Sequence, residues 1–358
     1  LLDAYARAPG PRHWALWLGL GDMTLQAVGL VAALVGLTAS FCRVALGGPS
    51  VPVWSLGLTA LLLALLALGH YAALRLVNIA LLALVAFTTL VAVLAAPPPA
   101  AAFARSALSP SLPEGSLILV AAILGFMPTS VAVSIWQSLW ALEQGRFRSP
   151  GPGGGSPEAS ARRLRGGLVD LRIGYGLSAG LAVVFVCLGA TVLHPRGLVP
   201  QGTDVALTLS RLYTEVLGEW MRPLVLAMCF AALFTTCYTM MDGFPRSFVA
   251  ARRALRGQPS AGGGIDRDYW VFLVTVTVLG MAILASVPDP AFLVKAVGAL
   301  GLLSSPLYYT LNLWAVTRQV DDPRLRPGPF LIGLAALGIL SMLAAAGLLL
   351  WTTFGALP

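Results

Sequence analysis

The sequence predicts an all-α protein that crosses a membrane many times. Of its 358 residues, 58% are hydrophobic and only 11% are charged, and the mean hydropathy is +0.83. A soluble fold of this composition would have too little polar material to cover its surface. The apolar residues are grouped in nine runs, most of them near the ~20 residues that a helix needs to cross a bilayer.

The nine runs define the predicted elements in chain order. We predict spans at about 14–40, 51–69, 74–96, 116–142, 168–193, 221–245, 269–287, 291–316 and 328–354. The third span ends at three consecutive prolines, 97–99, and Pro288 and Pro290 predict a tight turn before the eighth. Residues 204–220, between the fifth and sixth spans, have the amphipathic pattern of a surface helix.

A Pro/Gly/Ser-rich stretch, 149–157, predicts a flexible linker between the fourth and fifth spans. It divides the chain into three parts. Residues 1–143 hold the first three spans and an interrupted fourth, 144–167 form the linker, and 168–358 hold the remaining spans.

The net charge of +8 is explained by topology. If the first residue is cytoplasmic, seventeen basic residues fall on the cytoplasmic side and five on the other, as the positive-inside rule requires. The C-terminus is then outside. We therefore predict no nucleic-acid partner, and a lipid bilayer with some anionic lipid as the surroundings. Twenty-two arginines against one lysine suggest a high-GC bacterial genome and hence a bacterial inner membrane.

The fourth run is interrupted in its middle by Gly125-Phe126-Met127-Pro128-Thr129-Ser130. Pro128 lacks a backbone donor, so carbonyl groups near Leu124 are expected to be unpaired at membrane depth. One interpretation is a proline kink in a packing helix. The other is a discontinuous helix that holds an ion or a substrate, as in transporters.

Asp22 is the clearest charged residue inside a predicted span, where a charge costs about 2.5–3.5 kcal/mol. Gly19-Leu20-Gly21-Asp22 has the GxGD form of intramembrane aspartyl proteases. Such catalysis needs a second carboxylate facing the first, and no earlier span supplies an aspartate. We therefore expect Asp22 to be solvated in a cavity or hydrogen-bonded to a neighbouring helix. The HExxH signature is absent and the four cysteines form no close pair, so we predict no resident cofactor and no enzyme activity.

Gly125 to Trp140 resembles the sixth helix of the natural resistance-associated macrophage protein (Nramp) family of divalent-metal transporters. Four further stretches are similar to the family: 170–176, 185–195, 235–246 and 306–314, the last of which resembles the tenth helix. The resemblance implies two inverted five-helix repeats in a LeuT-like arrangement, of which nine of eleven helices are present. It implies a secondary transporter that moves manganese or iron by alternating access, without an obligatory protein partner.

The resemblance also implies site residues. The metal ligands would be the Met127 thioether and the Leu124 backbone carbonyl, and a soft thioether suits transition metals better than calcium or magnesium. The substrate path would include Asp22, Thr129, Ser130, Ser134 and Asn312.

Two departures from the family pattern qualify these expectations. Thr129 and Ser130 replace the usual His-Asn, and Ser134 aligns with a histidine associated with proton movement, so weak proton coupling is expected. The family's first two helices have no counterpart, and we expect the coding sequence to continue upstream of Leu1. An organic-solute carrier of the same architecture, such as an amino-acid carrier, is the alternative function.

Overall fold

The computed structural model describes residues 1–69, 71–98, 108, 115–126, 133–143, 157–200, 204–260, 265–287, 289–320 and 322–354, and it describes only the backbone at 71–78, 157, 159 and 160. Within these ranges the chain is helical and contains no strand. The predicted fold class, an all-α polytopic membrane protein, is confirmed.

Twelve helices can be traced in the described ranges. In chain order they are α1 (Leu2–Tyr5), α2 (Trp14–Leu46), α3 (Val51–Leu68), α4 (Tyr71–Ala95), α5 (Leu117–Phe126), α6 (Val133–Glu143), α7 (Pro157–Leu188), α8 (Val205–Leu217), α9 (Arg222–Leu255), α10 (Arg267–Ser286), α11 (Pro290–Arg318) and α12 (Pro329–Phe354). Among the described residues, seven helices are long and apolar enough to cross a membrane, namely α2, α3, α7 and α9 to α12. All nine predicted runs coincide with helices, the fourth with the two short helices α5 and α6.

The predicted linker boundary is wrong. Helix α7 begins at Pro157, so residues 157–167, assigned to the linker from their position, are helical. Pro157 suits the first position of a helix, where its missing N–H removes no bond. Glu158 lies in the first turn, where a carboxylate is stabilised by the helix dipole. The remainder of the predicted linker, 144–156, lies outside the described residues.

Helix α2 is the centre of the bundle. Of its most apolar window, 78% is buried, against 17% for α7 and 6% for α12. It packs on α9, α10 and α11, and glycines bring these helices close. A Cβ added to Gly280 of α10 would lie 2.9 Å from the Val28 carbonyl oxygen of α2, and one on Gly29 would lie 2.5 Å from Val297 of α11.

Aspartates cap two of the helices that surround α2. Asp266 accepts a hydrogen bond from the Tyr269 N–H at 2.9 Å, and Asp289 accepts one from the Phe292 N–H at 3.1 Å. Each satisfies a donor that the first turn leaves free. These caps fix where α10 and α11 begin.

Helix α8 packs on α2, α4 and α9. It buries Val205, Leu212 and Tyr213, as its amphipathic sequence predicts. Tyr213 joins it to α4, since its hydroxyl lies 2.7 Å from the Thr89 hydroxyl. Helix α8 therefore covers one end of the bundle beside the start of α9.

Candidate functional site

The two halves of the interrupted span are attached to different parts of the bundle. Helix α5 packs on α11 and α12, whereas α6 packs on α9. Residues 127–132 between them lie outside the described part of the chain, and with them Met127, Thr129 and Ser130. The structure places the flanking site residues, Leu124 near the end of α5 and Ser134 near the start of α6.

Glycines let α5 and α11 touch through their backbones. A Cβ on Gly125 would overlap the Gly298 carbonyl oxygen, and it would lie 2.7 Å from the Leu302 nitrogen. A Cβ on Gly298 would in turn lie 2.7 Å from the Ala122 Cα. In lipid, such close approach of small residues is a main source of helix association. The last turn of α5, which carries the Leu124 carbonyl, is thereby held against α11.

Leu124 itself packs on the side of α5 that faces α11 and α12. Its half-buried side chain contacts a cluster of Ala121, Leu302 and Leu349. The Leu124 side chain therefore anchors the end of α5.

An indole ring fixes α6 to α9. A Cβ on Gly243 would lie 2.6 Å from the Trp136 ring, and the ring meets Phe244 edge to face at 4.8 Å between centroids. Trp136 is buried. Gly243 is thus the position at which α9 accepts the aromatic anchor of α6.

A charge cluster fastens the other end of α6. The Arg246 Nε donates to both carboxylate oxygens of Asp242 at 2.8 Å, and its Nη1 donates to Glu143 of α6 at 2.8 Å. The Tyr269 hydroxyl of α10 donates to Asp242 at 2.9 Å. Asp242 and Arg246 are only 16% and 17% exposed, whereas Glu143 is 58% exposed. We call these four residues the Asp242 cluster.

Asp22 lies in a polar contact between α2 and α11. The Gln26 amide donates to Asp22 at 2.7 Å and to the Ser304 hydroxyl at 3.3 Å. The Ser304 and Tyr308 hydroxyls lie beside Asp22 and donate to the Gly301 and Gly19 carbonyls. Asp22 is therefore hydrogen-bonded within α2, and Gln26 connects it to Ser304 of α11. The amide and hydroxyls that contact it supply no second carboxylate for a protease.

Asn312, one turn after Tyr308 on α11, connects α11 to α1 and α6. Its side-chain oxygen accepts a hydrogen bond from the Tyr5 hydroxyl of α1 at 2.6 Å, and its amide donates to the Ser134 hydroxyl at 3.4 Å. Tyr5 is 1% exposed, and burial raises the pKa of its hydroxyl, which therefore stays a donor. The predicted path residues Ser134 and Asn312 are thus in contact.

One face of α11 links these two polar contacts. Ser304, Tyr308 and Asn312 are spaced by four residues, so they line one side of the helix. The Tyr5 and Tyr308 rings lie 6.4 Å apart between centroids. Asp22, Ser134 and Asn312 therefore belong to one polar stripe, defined by the three α11 residues and their partners, while Leu124 lies at the separate contact of α5 with α11.

Sequence reasoning missed Gln26, Ser304, Tyr308 and Tyr5. A partial signal for the two α11 residues was present, because Tyr308 is four residues from both Ser304 and Asn312. Ser305, Tyr309 and Thr310 are polar as well and obscure this spacing. Tyr5 carries no such signal, since it belongs to a four-residue helix outside the spans.

Hydroxyl and amide groups are the main potential ligands in these contacts. No group of three or more His, Cys, Asp or Glu side chains that could hold a metal occurs among the residues that the structure describes. The described polar groups of the stripe are hydroxyls, amides and the carboxylate of Asp22, while the carboxylates beside α6, Asp242 and Glu143, are paired with Arg246.

Two comparisons with known proteins bear on this arrangement. The model of the natural resistance-associated macrophage protein-like family matches residues 2–352. An uncharacterized protein of Pasteurella multocida (strain Pm70) is 27% identical over 207 residues, which cover 57% of this chain and 44% of that protein. The chain thus aligns with less than half the length of this relative.

Proposed function

This chain belongs to the natural resistance-associated macrophage protein-like family, and from that membership we propose that it carries a divalent transition-metal cation across the bacterial inner membrane. The proposed mechanism is alternating access. One observation supports it above the others: α5 and α6, the halves of the interrupted span, are anchored to different helices. Half-helices held by different neighbours are the arrangement expected where a transporter interrupts a helix around its substrate.

Manganese or iron is the proposed substrate. The Met127 thioether and the Leu124 carbonyl would be ligands, and a thioether disfavours calcium and magnesium, which prefer oxygen. Thr129 and Ser130 would supply hydroxyls to the same region. Carboxylate ligands are not part of the proposal, because Asp22 already accepts a hydrogen bond from Gln26.

Replacement of Met127 by leucine tests this proposal. The change keeps the side-chain volume and removes the sulfur, so we expect manganese and cadmium uptake into proteoliposomes to fall about tenfold or more, with calcium rejection relaxed. Met342→Leu is the matched control, because that methionine packs in the cluster of α5, α11 and α12. Equal uptake by both variants would make Met127 a packing residue. Uptake of an amino acid that competes with the metal would favour the organic-solute carrier instead.

We propose that the polar stripe of α11 is the substrate path. Asp22, Ser134 and Asn312 lie along it, and Thr129 and Ser130 precede Ser134 by one turn or so in sequence. Intramembrane polar groups in contact across helices are costly and are typical of ion pathways. The aspartyl-protease alternative finds no second acid in these contacts.

Proton coupling is expected to be weak. Ser134 cannot exchange a proton near neutral pH, whereas a histidine can. Metal influx should therefore respond little to an imposed pH gradient, as measured with a pH-sensitive dye inside proteoliposomes, and Ser134→His should increase that response. Strong acidification coupled to metal entry would contradict this prediction. Its loss in Asp22→Asn would then identify Asp22 as the proton carrier.

The orientation proposed for this multi-pass protein follows from its arginines. The first residue and the segment 144–156 would be cytoplasmic and the C-terminus outside. A transporter of this kind would act without an obligatory protein partner, with the bilayer as its surroundings.

A further inference from the structure

A groove opens between the end of α2 and the start of α9. Its volume is about 500 Å³, and its walls are apolar except for one cation, Arg222. Phe41 forms its buried floor, and the exposed Ala227 lies on its open side. The groove is therefore apolar along its length and carries a single positive charge.

Arg222 is only partly engaged. Its Nη2 pairs with Glu219 at 2.6 Å, and Glu219 is 71% exposed. No described residue accepts a hydrogen bond from its Nε. The Arg222 side chain is 41% exposed, so an anion in the groove can reach the guanidinium and form a charge-assisted hydrogen bond with it.

The groove begins at the level of the lipid headgroups. Trp54, whose indole donates to the Gly47 carbonyl, and the exposed Trp220 lie at this end of the bundle. Tryptophan is enriched at the membrane–water interface. Arg222 follows Trp220 by two residues and stands at the first turn of α9, where backbone N–H groups also favour an anion.

The length of the groove is close to the thickness of the hydrocarbon layer of one leaflet. It runs along α9 from Arg222 past Leu226 to Phe230, eight residues or about 12 Å at the helical rise. Half of the hydrocarbon core is about 15 Å. An acyl chain that starts at the headgroup level would lie along the groove for most of its leaflet.

We propose that this groove binds one anionic phospholipid, with the phosphate on Arg222 and an acyl chain along Leu226 and Phe230. Arg222 is the charged residue in the lining of the groove, and its positive charge favours an anionic headgroup. A zwitterionic lipid would add a second cation beside Arg222. Bound there, the lipid joins α2, the central helix, to α9, the helix that holds α6.

The test uses the full chain in a neutral detergent. Phosphatidylglycerol, phosphatidylcholine with the same acyl chains and inorganic phosphate are added separately, and bound lipid is counted by native mass spectrometry alongside the Tm. We expect phosphatidylglycerol to bind and to raise the Tm, phosphatidylcholine to bind more weakly, and phosphate alone to do neither. An equal effect of phosphate would overturn the lipid assignment.

Variants test whether the lipid binds in this groove or adsorbs elsewhere on the protein. Arg222→Gln should weaken phosphatidylglycerol binding about tenfold, the effect of one charge-assisted hydrogen bond. Glu219→Gln should strengthen it, because it releases the guanidinium, and Ala227→Trp should block both lipids by filling the groove. Arg196→Gln is the control, since Arg196 pairs with Glu215 at 3.3 Å at the same end of the bundle. If Arg222→Gln, Glu219→Gln and Ala227→Trp all bind phosphatidylglycerol like the wild type, the proposal is wrong. The Tm without lipid verifies that each variant is folded.

Discussion

Gly125→Val is expected to abolish the stable fold of the protein, and Gly125→Ala to lower its Tm strongly. Any Cβ at this position overlaps the Gly298 carbonyl oxygen, and it comes within 2.7 Å of the Leu302 nitrogen. Overpacking against side chains usually costs about 1–3 kcal/mol. Here the obstructing atoms are backbone, which cannot rotate away, so α5 has to separate from α11.

The measurement is the Tm of the detergent-solubilised protein, with metal uptake as a second readout. Gly57→Ala is the matched control, because Gly57 lies inside helix α3 with nothing within 4 Å of an added Cβ. Alanine is a better helix former than glycine by about 1 kcal/mol, so the control should keep or raise the Tm. A Tm for Gly125→Ala equal to that of the control would refute the close packing of α5 on α11.

This packing shows where sequence reasoning stops. The interruption near Gly125 was predicted from Pro128 and the polar residues around it, which are local features. That Gly125 faces Gly298 was not, because the contact joins residues 173 positions apart and small residues occur throughout the chain. Composition identifies a helix that can cross the membrane, but it does not identify the face that meets its neighbour.

The polar stripe gives the same result for the candidate site. Asp22 was predicted as a site residue because a carboxylate in an apolar span is costly. Which residues of α11 lie beside it depends on how the helices pack, and the sequence does not give that packing. Tyr5 was not predicted, since its burial depends on a short helix docked among distant segments. Its neighbour Asp3 accepts hydrogen bonds from the Ser260 N–H at 3.0 Å and the Ser260 hydroxyl at 2.9 Å. The error at 157–167 has a local cause. These residues carry a helix signal, but they directly follow a Gly-rich stretch and were assigned to the linker with it.

Asp242→Ala is expected to destabilise the protein by about 3–5 kcal/mol, the usual cost of removing one partner of a buried ion pair. Arg246 would keep only the exposed Glu143, and the buried Tyr269 hydroxyl would lose its acceptor. Glu143→Gln should cost less than about 1 kcal/mol, since an exposed pair contributes little. A large loss for Asp242→Ala beside a small loss for Glu143→Gln would show that Asp242 and Arg246 contribute most of the stability of the Asp242 cluster.

A second ion pair, which joins α9 to α10, provides the control. Arg252 of α9 pairs with Asp268 of α10, and their side chains are 37% and 34% exposed. Asp268→Ala should therefore change the Tm much less than Asp242→Ala. Equal losses would show that burial does not decide the strength of these pairs. If Asp242→Ala lowers the Tm and also speeds metal release while Asp268→Ala does neither, the cluster restrains α6 during transport, because Arg246 is the residue that joins Asp242 to α6.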